Sequence, residues 1–596
     1  MRVFSMPAST AAPSDAATLH RADAPAASAI RPGFMPFSAE AFAQAHARRL
    51  PVFLLIGAYT PEFDDPSLAS QLYERTVPVH LIPGTRPDAE LLCQRASKLF
   101  SGESGLPLCA LLLDDTRPFL AAPLPPAGFP LDPSRLFVWL SQADRRFTQN
   151  LPAFVGHASQ VLRSFSAPPL RHPFSPSDAV HHLSRALLSS ADTINGGFGK
   201  QKSPFPCALR FLQHAQKHGN AHAHAQLSHT LDAMLCSALH DPIDSAFFRT
   251  TLTEDWRVFV PEKPLGINAM MALILLDSGR RSEAVHLLDY IVSAFPLQGG
   301  GLSAALQGKR EAYAFSPEQV CAVLGSEDGL RACRLLHLLR QHTQPEPQIA
   351  PSRFSPLPPD KPARNTDETL LPLYPRLPSS LTPEDAAFLR RVLPALEHTR
   401  NARDPQRPVP YVITEHCALA AAILAQCGKR LGEPRYTQAA QRAVTFLCGQ
   451  TPAAGSAAAL PASVYPVSPL HAQSTCGACA ALALALLTLG SSEGMEEYAL
   501  SGFRLLGSAL HAFVRRDGLV MHTTEDPASF FMRVPAIYDS ELPSPAALLV
   551  HALYLAHSTR PQAHYDEAIE TIWHAAAPAA YSQPLAFVSL IDALNP

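Results

Sequence analysis

The sequence predicts a small α/β domain followed by a much larger all-helical domain. Between residues 35 and 167, short apolar runs at 52–56, 77–82 and 107–115 alternate with helix-like stretches, a pattern typical of buried strands with helices on both faces. From about residue 175 onward, segment after segment carries the i, i+3, i+4 apolar spacing of a helix, without a fixed repeat period. A block of roughly 400 residues built this way favours a helical toroid or bundle.

Individual elements can be assigned in chain order. Ser38 is placed to cap a helix, and Glu40 lies in the first turn of that helix, where an acidic side chain is favourable. Pro133 suits an early position of the amphipathic helix 133–149, which closes the α/β domain. The most apolar segment, 476–490, is shorter than the roughly 18 residues of a spanning helix and predicts a buried helix.

Composition also divides the chain. The Ala/Pro/Ser-rich residues 1–34 are interpreted as a disordered leader, because they lack the apolar core of a signal peptide. We predict domains over 35–167 and 175–580. Two Pro-rich segments inside the second domain, 344–365 and 451–471, are expected to be mobile loops that are dispensable for folding.

Charge and cysteine content exclude several functions. The 596 residues include 48 Lys+Arg and 51 Asp+Glu, a net charge of -3 with no long basic run, so we expect neither nucleic-acid nor membrane-surface binding. Most of the 11 cysteines lie in apolar helical patterns, which indicates reduced thiols and a cytoplasmic protein. No motif predicts a cofactor or a metal site.

Two clusters leave alternatives open. Cys476 and Cys479 form the one CxxC of the chain; the start of a helix lowers a thiol pKa, but helix packing explains the small residues between them equally well. His214, His218 and His222 share helical spacing that Gly219 interrupts, so a solvated turn or adventitious metal binding are both open readings.

Further motifs occur in a fixed order between about residues 35 and 575. They are the segments 36–58, 64–69, 86–88, 104–107, 196–199, 204–206, 248–249, 255–256, 262–263, 299–304, 312–325 and 533–555. Together they resemble the spermatogenesis-associated protein 20-like family. This resemblance implies a thioredoxin-like domain over 35–167, followed by an (α/α)6 barrel of the N-acylglucosamine 2-epimerase and six-hairpin glycosidase type over 175–580.

The chain also departs from that family. The cysteine cluster that follows the first buried strand in the family is replaced by residues 57–66, which contain no cysteine. Pro107 resembles the cis-proline of the thioredoxin fold. In the barrel, polar family positions are replaced at 260–267, 305–308 and 543–546, where mainly apolar residues stand, and a Trp-Asn pair becomes His416-Cys417. These changes indicate a degenerate site.

The surviving polar motif residues are the candidates for a site at the barrel mouth. Catalytic candidates are Glu262, Asp255 and Asp539, and binding candidates are Arg249, Trp256, Lys263 and Arg533. Each has a plainer alternative, since charged pairs are often solvated and tryptophans usually pack in cores. Asp539 and Arg533 are expected to pair across the mouth, more as a salt bridge than as catalytic groups.

Two functions follow from these observations. The residues favour a non-catalytic protein that binds a ligand or a partner and has lost both active sites. The resemblance favours an enzyme of carbohydrate metabolism, acting at the barrel cavity on a sugar or a similar small polar metabolite, as epimerases and glycosidases do. Neither reading names a protein partner or a ligand.

We expect the thioredoxin-like domain to have no disulfide reductase activity, because dithiol exchange needs a thiolate of low pKa and a resolving thiol, and residues 57–66 supply neither. An insulin-reduction assay measures this activity. Turnover that persists after Cys476→Ser and Cys479→Ser would contradict the prediction, because the only CxxC would then be excluded as its source.

Overall fold

The protein is represented by a computed structural model. It describes residues 33–57, 60–126, 128–170, 172–339, 353–354, 381–450, 460–464, 474–491, 495–525 and 529–595. The predicted leader lies almost entirely outside these residues, as do most of the two Pro-rich segments.

A five-stranded sheet forms the centre of the first domain. Its strands are β1 (Met35–Pro36), β2 (Val52–Ile56), β3 (Val77–Leu81), β4 (Leu108–Leu112) and β5 (Pro118–Pro123). They lie in the order β1-β3-β2-β4-β5, with β1, β3 and β2 parallel and β4 and β5 antiparallel to their neighbours. This is the thioredoxin-like arrangement, and the Leu106–Pro107 peptide bond before β4 is cis.

Five helices cover the two faces of this sheet. They are α1 (Ala39–Arg48), α2 (Pro66–Arg75), α3 (Pro87–Ser101), α4 (Pro133–Gln149) and α5 (Leu151–Arg163). Ser38 caps α1 as expected, and Asp65, Asp132 and Asn150 accept backbone N–H groups at the starts of α2, α4 and α5. Strands β2, β3 and β4 are buried along their whole length because both faces carry helices.

The second domain is a closed ring of helices. Its inner helices are α7 (Pro206–Lys217), α9 (Leu265–Asp277), α14 (Thr414–Leu431), α16 (Cys476–Gly490), α18 (Pro545–Thr559) and α20 (Val588–Ala593). Each packs against the next, and α20 returns to α7. Their outer partners are α8 (Ala221–Leu235), α10 (Arg281–Ala294), α15 (Pro434–Cys448), α17 (Glu496–Phe513), α19 (Ala563–Ser582) and α6 (Pro176–Ser189). The fold is the predicted (α/α)6 toroid.

Inner and outer helices alternate along the chain, so the six inner helices run in one direction and their N-termini lie at the same end of the ring. Helices α9 and α16 are buried on all sides, which explains why their sequences are apolar without a polar face. The ring closes with α20, which ends at Ala593 and so lies beyond the predicted boundary at residue 580.

Short strands and an insertion complete the toroid. The strands are β6 (His240–Asp241), β7 (Ala246–Phe247), β8 (Glu262–Pro264), β9 (Ala305–Gln307), β10 (Arg407–Pro408), β11 (Val412–Ile413) and β12 (Ser463–Val464). Between α10 and α14 the chain inserts α11 (Pro317–Leu324), α12 (Ser326–Leu335) and α13 (Pro383–Arg403). Among the described residues, none of the helices is both long and apolar enough to cross a membrane.

The two domains share hydrophobic core. Phe531 and Val534 of the toroid are buried within the cluster that covers one face of the thioredoxin-like sheet. The guanidinium of Arg86 lies 5.0 Å from the ring of Phe531, and that of Arg95 lies 4.1 Å from the ring of Tyr538. These contacts hold the thioredoxin-like domain against the ring.

Both Pro-rich segments contain residues that pack, in contrast to the mobility predicted for them: Ser463–Val464 of 451–471 form β12, which pairs with β11, and Phe354 of 344–365 is buried. Phe354 is fully buried in the core of the thioredoxin-like domain, where its ring meets Trp139 edge-on at 5.6 Å. Its carbonyl oxygen accepts the N–H of Asp132. Part of 344–365 therefore packs into a folded domain, because a single large aromatic side chain buries enough surface to hold a short stretch of an otherwise polar segment.

Candidate functional site

The N-terminal end of the ring lies against one edge of the thioredoxin-like sheet. The ends of β2, β3 and β5 and the start of β4 meet at this edge, because β2 and β3 are parallel and β4 is antiparallel to both β2 and β5. A Cβ on Gly84, just beyond β3, would collide with Ile413 at the start of α14, and one on Gly128 would lie 3.6 Å from Pro261. The edge that carries Pro107 thus faces the toroid.

Arg249 is the centre of a charged cluster at this end. Its Nε donates to Glu262 over 2.8 Å and its Nη2 over 3.1 Å, while Nη1 contacts the carboxylate of Glu541. Burial alone would lower the pKa of Arg249, but the two carboxylates raise it above its usual value. In return, Arg249 outweighs burial at Glu262 and holds the pKa of that carboxyl below its usual range.

Glu541 is the most exposed member of this cluster. Its side chain is 47% exposed, whereas those of Arg249 and Glu262 are 22% and 20% exposed. The partly open region beside these three side chains is called the recess. Gln307 lies directly across from Glu262 in the pairing of β8 with β9, and its side chain helps lower the pKa of Glu262.

Two further groups reach the cluster from neighbouring elements. Glu90 lies in the first turn of α3 in the thioredoxin-like domain, and its carboxyl group contacts the N–H of Gly84. Burial raises the pKa of Glu90 to about 8; Arg249 lowers it and Glu541 raises it, so both lie close by. Tyr411 precedes β11, and burial together with the carboxylates of Glu262 and Glu90 raises its pKa.

The first turn of α14 adds an acid and an imidazole. Burial raises the pKa of Glu415 to about 7 and lowers the pKa of His416 to about 4. Gly477 in α16 makes room for Glu415, because a Cβ there would collide with its carboxylate. His522 lies beside Asp88 and Arg86, and burial lowers its pKa to about 4. Within the described residues, neither ring nitrogen of His522 has a hydrogen-bond partner.

Of the seven candidate residues, the structure brings only Arg249 and Glu262 together. Lys263 was expected to bind a ligand beside them, but the structure places it apart from them. Adjacent residues of a strand point to opposite faces, so Glu262 and Lys263 of β8 face away from each other. Lys263 is fully buried; its Nζ donates to Asp241 over 2.8 Å and to Asp244 over 2.5 Å.

The group around Lys263 is a structural ion cluster. Arg400 of α13 is also buried and contacts Asp241 at 2.7 Å and Asp244 at 3.1 Å, so two cations balance two carboxylates. The ring of Phe248 lies 4.8 Å from Nζ of Lys263. Each cation contacts both carboxylates, which is the charge pairing that a buried ion cluster needs, although Nε of Arg400 has no hydrogen-bond partner among the described residues.

The expected roles of Asp255 and Trp256 are not supported. Trp256 is only 3% exposed, packs against Gly197, and donates its indole Nε1 to the carbonyl of Asn195 over 2.7 Å. Asp255 pairs with Arg257 two residues away. Trp256 is therefore a core residue, because its one polar atom is already bonded and its ring has no open face.

Asp539 and Arg533 do not pair with each other. Asp539 accepts the N–H of Ser544 over 3.1 Å and that of Ser589 over 2.7 Å, which ties together the starts of α18 and α20. Burial raises the pKa of Asp539 to about 6. Arg533 donates instead to the carbonyl of Thr523 over 3.1 Å. Both side chains act as local structural ties.

The remaining sequence candidates also have structural settings. Cys476 and Cys479 are buried, and burial raises the pKa of both thiols, the reverse of what redox chemistry needs. His214 pairs with Asp592 at 2.7 Å, while His218 ends α7 and His222 begins α8. Across the described ranges, no group of three or more His, Cys, Asp or Glu side chains could hold a metal ion.

Several polar residues at this end of the ring were not singled out from the sequence. They are Glu90, Gln307, Tyr411, Glu415, His416, Glu541 and His522. Two of them, Gln307 and His416, stand in segments that were interpreted as lost polar positions. Their position in the sequence could have indicated two of them. Glu415 and Glu541, like Glu262, lie within four residues of the start of an apolar inner helix.

Comparisons with known proteins agree with this architecture. A family model described as thioredoxin-like DsbH, a protein of unknown function (DUF255), matches residues 28–165. The uncharacterized protein B0495.5 of Caenorhabditis elegans is 24% identical over 271 residues, which cover 42% of this chain and 37% of that protein. The chain thus spans little more than a third of this relative's length. The spermatogenesis-associated family stays a prediction.

The solved structures with a similar fold include a sugar isomerase, a sugar epimerase and a mannosidase. A D-mannose isomerase is 12% identical, with 69% of this chain and 88% of that chain covered and a TM-score of 0.41. A cellobiose 2-epimerase from Spirochaeta thermophila is 13% identical, with 67% and 84% covered and a TM-score of 0.40. A family 76 mannosidase from Bacteroides thetaiotaomicron is 8% identical, with 70% and 97% covered and a TM-score of 0.41.

We expect Lys263→Met to destabilise the protein by about 3–5 kcal/mol, because it leaves two buried carboxylates with Arg400 as their only cation. Urea denaturation measures the free energy of unfolding. Arg391→Met is the matched control, since it removes a cation whose pair with Asp328 is exposed, and it should change stability little. Equal effects of the two substitutions would contradict the structural role of Lys263.

Proposed function

We propose that the N-terminal end of the toroid binds a small, uncharged, hydroxyl-rich molecule of the carbohydrate class. The observation that carries this proposal is the contact of Arg249 with both Glu262 and Glu541, in which the side chain of Glu541 stays 47% exposed. The exposed part of this carboxyl group is available to a ligand. Glu262, Arg249 and Tyr411 lie around it and offer further donors and acceptors.

The balance of charge favours a neutral ligand over an anionic one. The recess gathers the carboxyl groups of Glu90, Glu262 and Glu541 around Arg249, whose guanidinium already engages two of them. A phosphate or carboxylate ligand would meet repulsion from the ionised groups. Hydroxyl groups, in contrast, donate well to carboxylates, and such charge-assisted hydrogen bonds are the stronger kind.

A second function, acid–base catalysis on the bound molecule, is favoured by one specific observation. Glu415 and His416 are consecutive, yet burial shifts their pKa values in opposite directions, to about 7 and about 4. At neutral pH the raised pKa of Glu415 allows its carboxyl group to carry a proton, while the lowered pKa of His416 keeps its imidazole neutral, which offers an acid and a base in one turn of α14. This reading replaces the predicted catalytic roles of Asp255 and Asp539.

The cellular setting stays a prediction. All cysteines of the chain are free, and those buried in apolar surroundings are chemically protected. This supports the cytoplasmic location expected from the sequence. No protein partner follows from these observations.

We expect neutral mono- or disaccharides to raise the thermal unfolding midpoint, because binding to the native state stabilises it by mass action, whereas the corresponding sugar phosphates should not. Glu262→Gln should weaken the affinity by about 10–100-fold, the range for a lost hydrogen bond to a charged group. Glu254→Gln, an exposed carboxyl on the same loop, is the control. Calorimetric titration gives the affinities, and stabilisation by sugar phosphates alone would refute a neutral ligand.

Turnover is tested separately with the sugar that binds best. If Glu415 and His416 are an acid–base pair, Glu415→Gln should slow epimerisation or hydrolysis by about 10²–10⁴-fold, with little effect on binding. The reaction is followed by NMR of the sugar, and Glu433→Gln, beyond the far end of the same helix, serves as the control. Binding without turnover in the unmodified protein would leave the non-catalytic function as the correct one.

A further inference from the structure

The thioredoxin-like domain contacts the toroid through one edge of its sheet. This is the edge at which the family that the chain resembles has its cysteine cluster. A Cβ on Gly57, at the end of β2, would collide with Pro107, so the two segments that frame the absent thiols are still in contact. The loops on either side of this point touch the ring through Gly84 and Ile413, and through Phe129 and Arg310, whose guanidinium lies 5.4 Å from the ring of Phe129. The edge is covered rather than free.

The attachment is too apolar to be a transient contact. Phe531 is 4% exposed and Val534 is 1% exposed, and both are part of the core on one face of the thioredoxin-like sheet. Phe37 of the thioredoxin-like domain meets the rings of Phe530 and Phe531 at 5.4 and 5.3 Å. Separation of the domains would expose all of this surface, which opposes it strongly. The domain therefore stays in place while the site is occupied.

Helix α3 carries one side chain from this fixed domain to the recess. Glu90 lies in the first turn of α3, held by its contact with the N–H of Gly84. The charged and titratable groups that face it are Asp88 and Cys93 on its own helix, Arg249 and Glu541 on the toroid, and Tyr411 before β11. Glu90 is thus the point where the first domain enters the cluster around Arg249.

We propose that the thioredoxin-like domain is a wall of the ligand site and that Glu90 determines specificity there, donating a hydrogen bond from its protonated carboxyl group to an acceptor oxygen of the ligand. This inference rests on the proposed function of the toroid. Burial raises the pKa of Glu90 to about 8, so the carboxyl holds its proton at neutral pH. The residue adds a donor to a recess that is otherwise rich in acceptors.

The test compares Glu90→Gln, Glu90→Ala and the unmodified protein, at pH 7 and pH 9, with the neutral sugar that stabilises most. The unmodified protein should lose about tenfold more affinity than Glu90→Gln between these pH values, because ionisation above pH 8 removes the donor while an amide keeps it. Comparing the unmodified protein with Glu90→Gln cancels the effect of Glu415 titration, because both proteins retain Glu415. Glu90→Ala should bind weakly at both pH values.

A second measurement needs no ligand. The pKa of Glu90 rises from 4.5 in the unfolded chain to about 8 in the native protein, so its contribution to stability is fully present below pH 4.5 and is lost as pH rises through 8. Between pH 5 and pH 8, the unfolding midpoint of Glu90→Gln should therefore rise relative to that of the unmodified protein. For Glu74→Gln, on the exposed side of α2, the unfolding midpoint should depend on pH in the same way as that of the unmodified protein.

The outcomes separate the two proposals. Equal affinities for all variants at both pH values overturn the role of Glu90 and leave the sugar site of the toroid intact. Parallel stability profiles of the unmodified protein and Glu90→Gln also overturn it, because Glu90 would then be solvated. Failure of every neutral sugar to bind overturns both proposals. A pH-dependent affinity that both Glu90→Gln and Glu90→Ala abolish, with strong binding kept only by Glu90→Gln, supports the wall and its donor when the stability profiles also diverge.

Discussion

The buried ion cluster of Lys263, Arg400, Asp241 and Asp244 is the constraint on which the candidate site depends. It fixes one face of β8, and strand alternation then places Glu262 on the opposite face, toward Arg249. The same alternation applies across the site, where Phe248 packs against Lys263 and Arg249 turns to the recess. A change in the cluster would therefore move the recess as well, although no residue of the cluster faces it.

The parallel inner helices supply the second general feature of the site. Six N-termini at one end of a ring direct the positive ends of their dipoles toward the same region. This field favours carboxylates there, which accounts for the concentration of Glu262, Glu415 and Glu541 near the starts of α9, α14 and α18. Burial still raises the pKa of Glu90 and of Glu415, whereas the pairing with Arg249 keeps the pKa of Glu262 low.

Much of the fold could be predicted because periodicity and caps are local. The strands of the first domain and most helices of the second follow their apolar patterns, and Ser38 caps α1 as its sequence indicates. The site was predicted less well, because it depends on where side chains point. Glu262 and Lys263 are equivalent in sequence but face opposite ways, and Glu541 gains its setting from Arg249, which lies almost 300 residues earlier in the chain.

Phe354 has a consequence for how the polypeptide is divided. It belongs to the insertion between α10 and α14, yet its ring fills the core beside Trp139, on the face of the sheet opposite to Phe531. A fragment of the first 165 residues would lack Phe354 and Phe531, and would therefore have a gap in the core on each face of the sheet. The two halves are therefore not interchangeable modules: a recombination or truncation at their apparent junction would yield a fragment with two exposed apolar faces, prone to self-association rather than to independent folding.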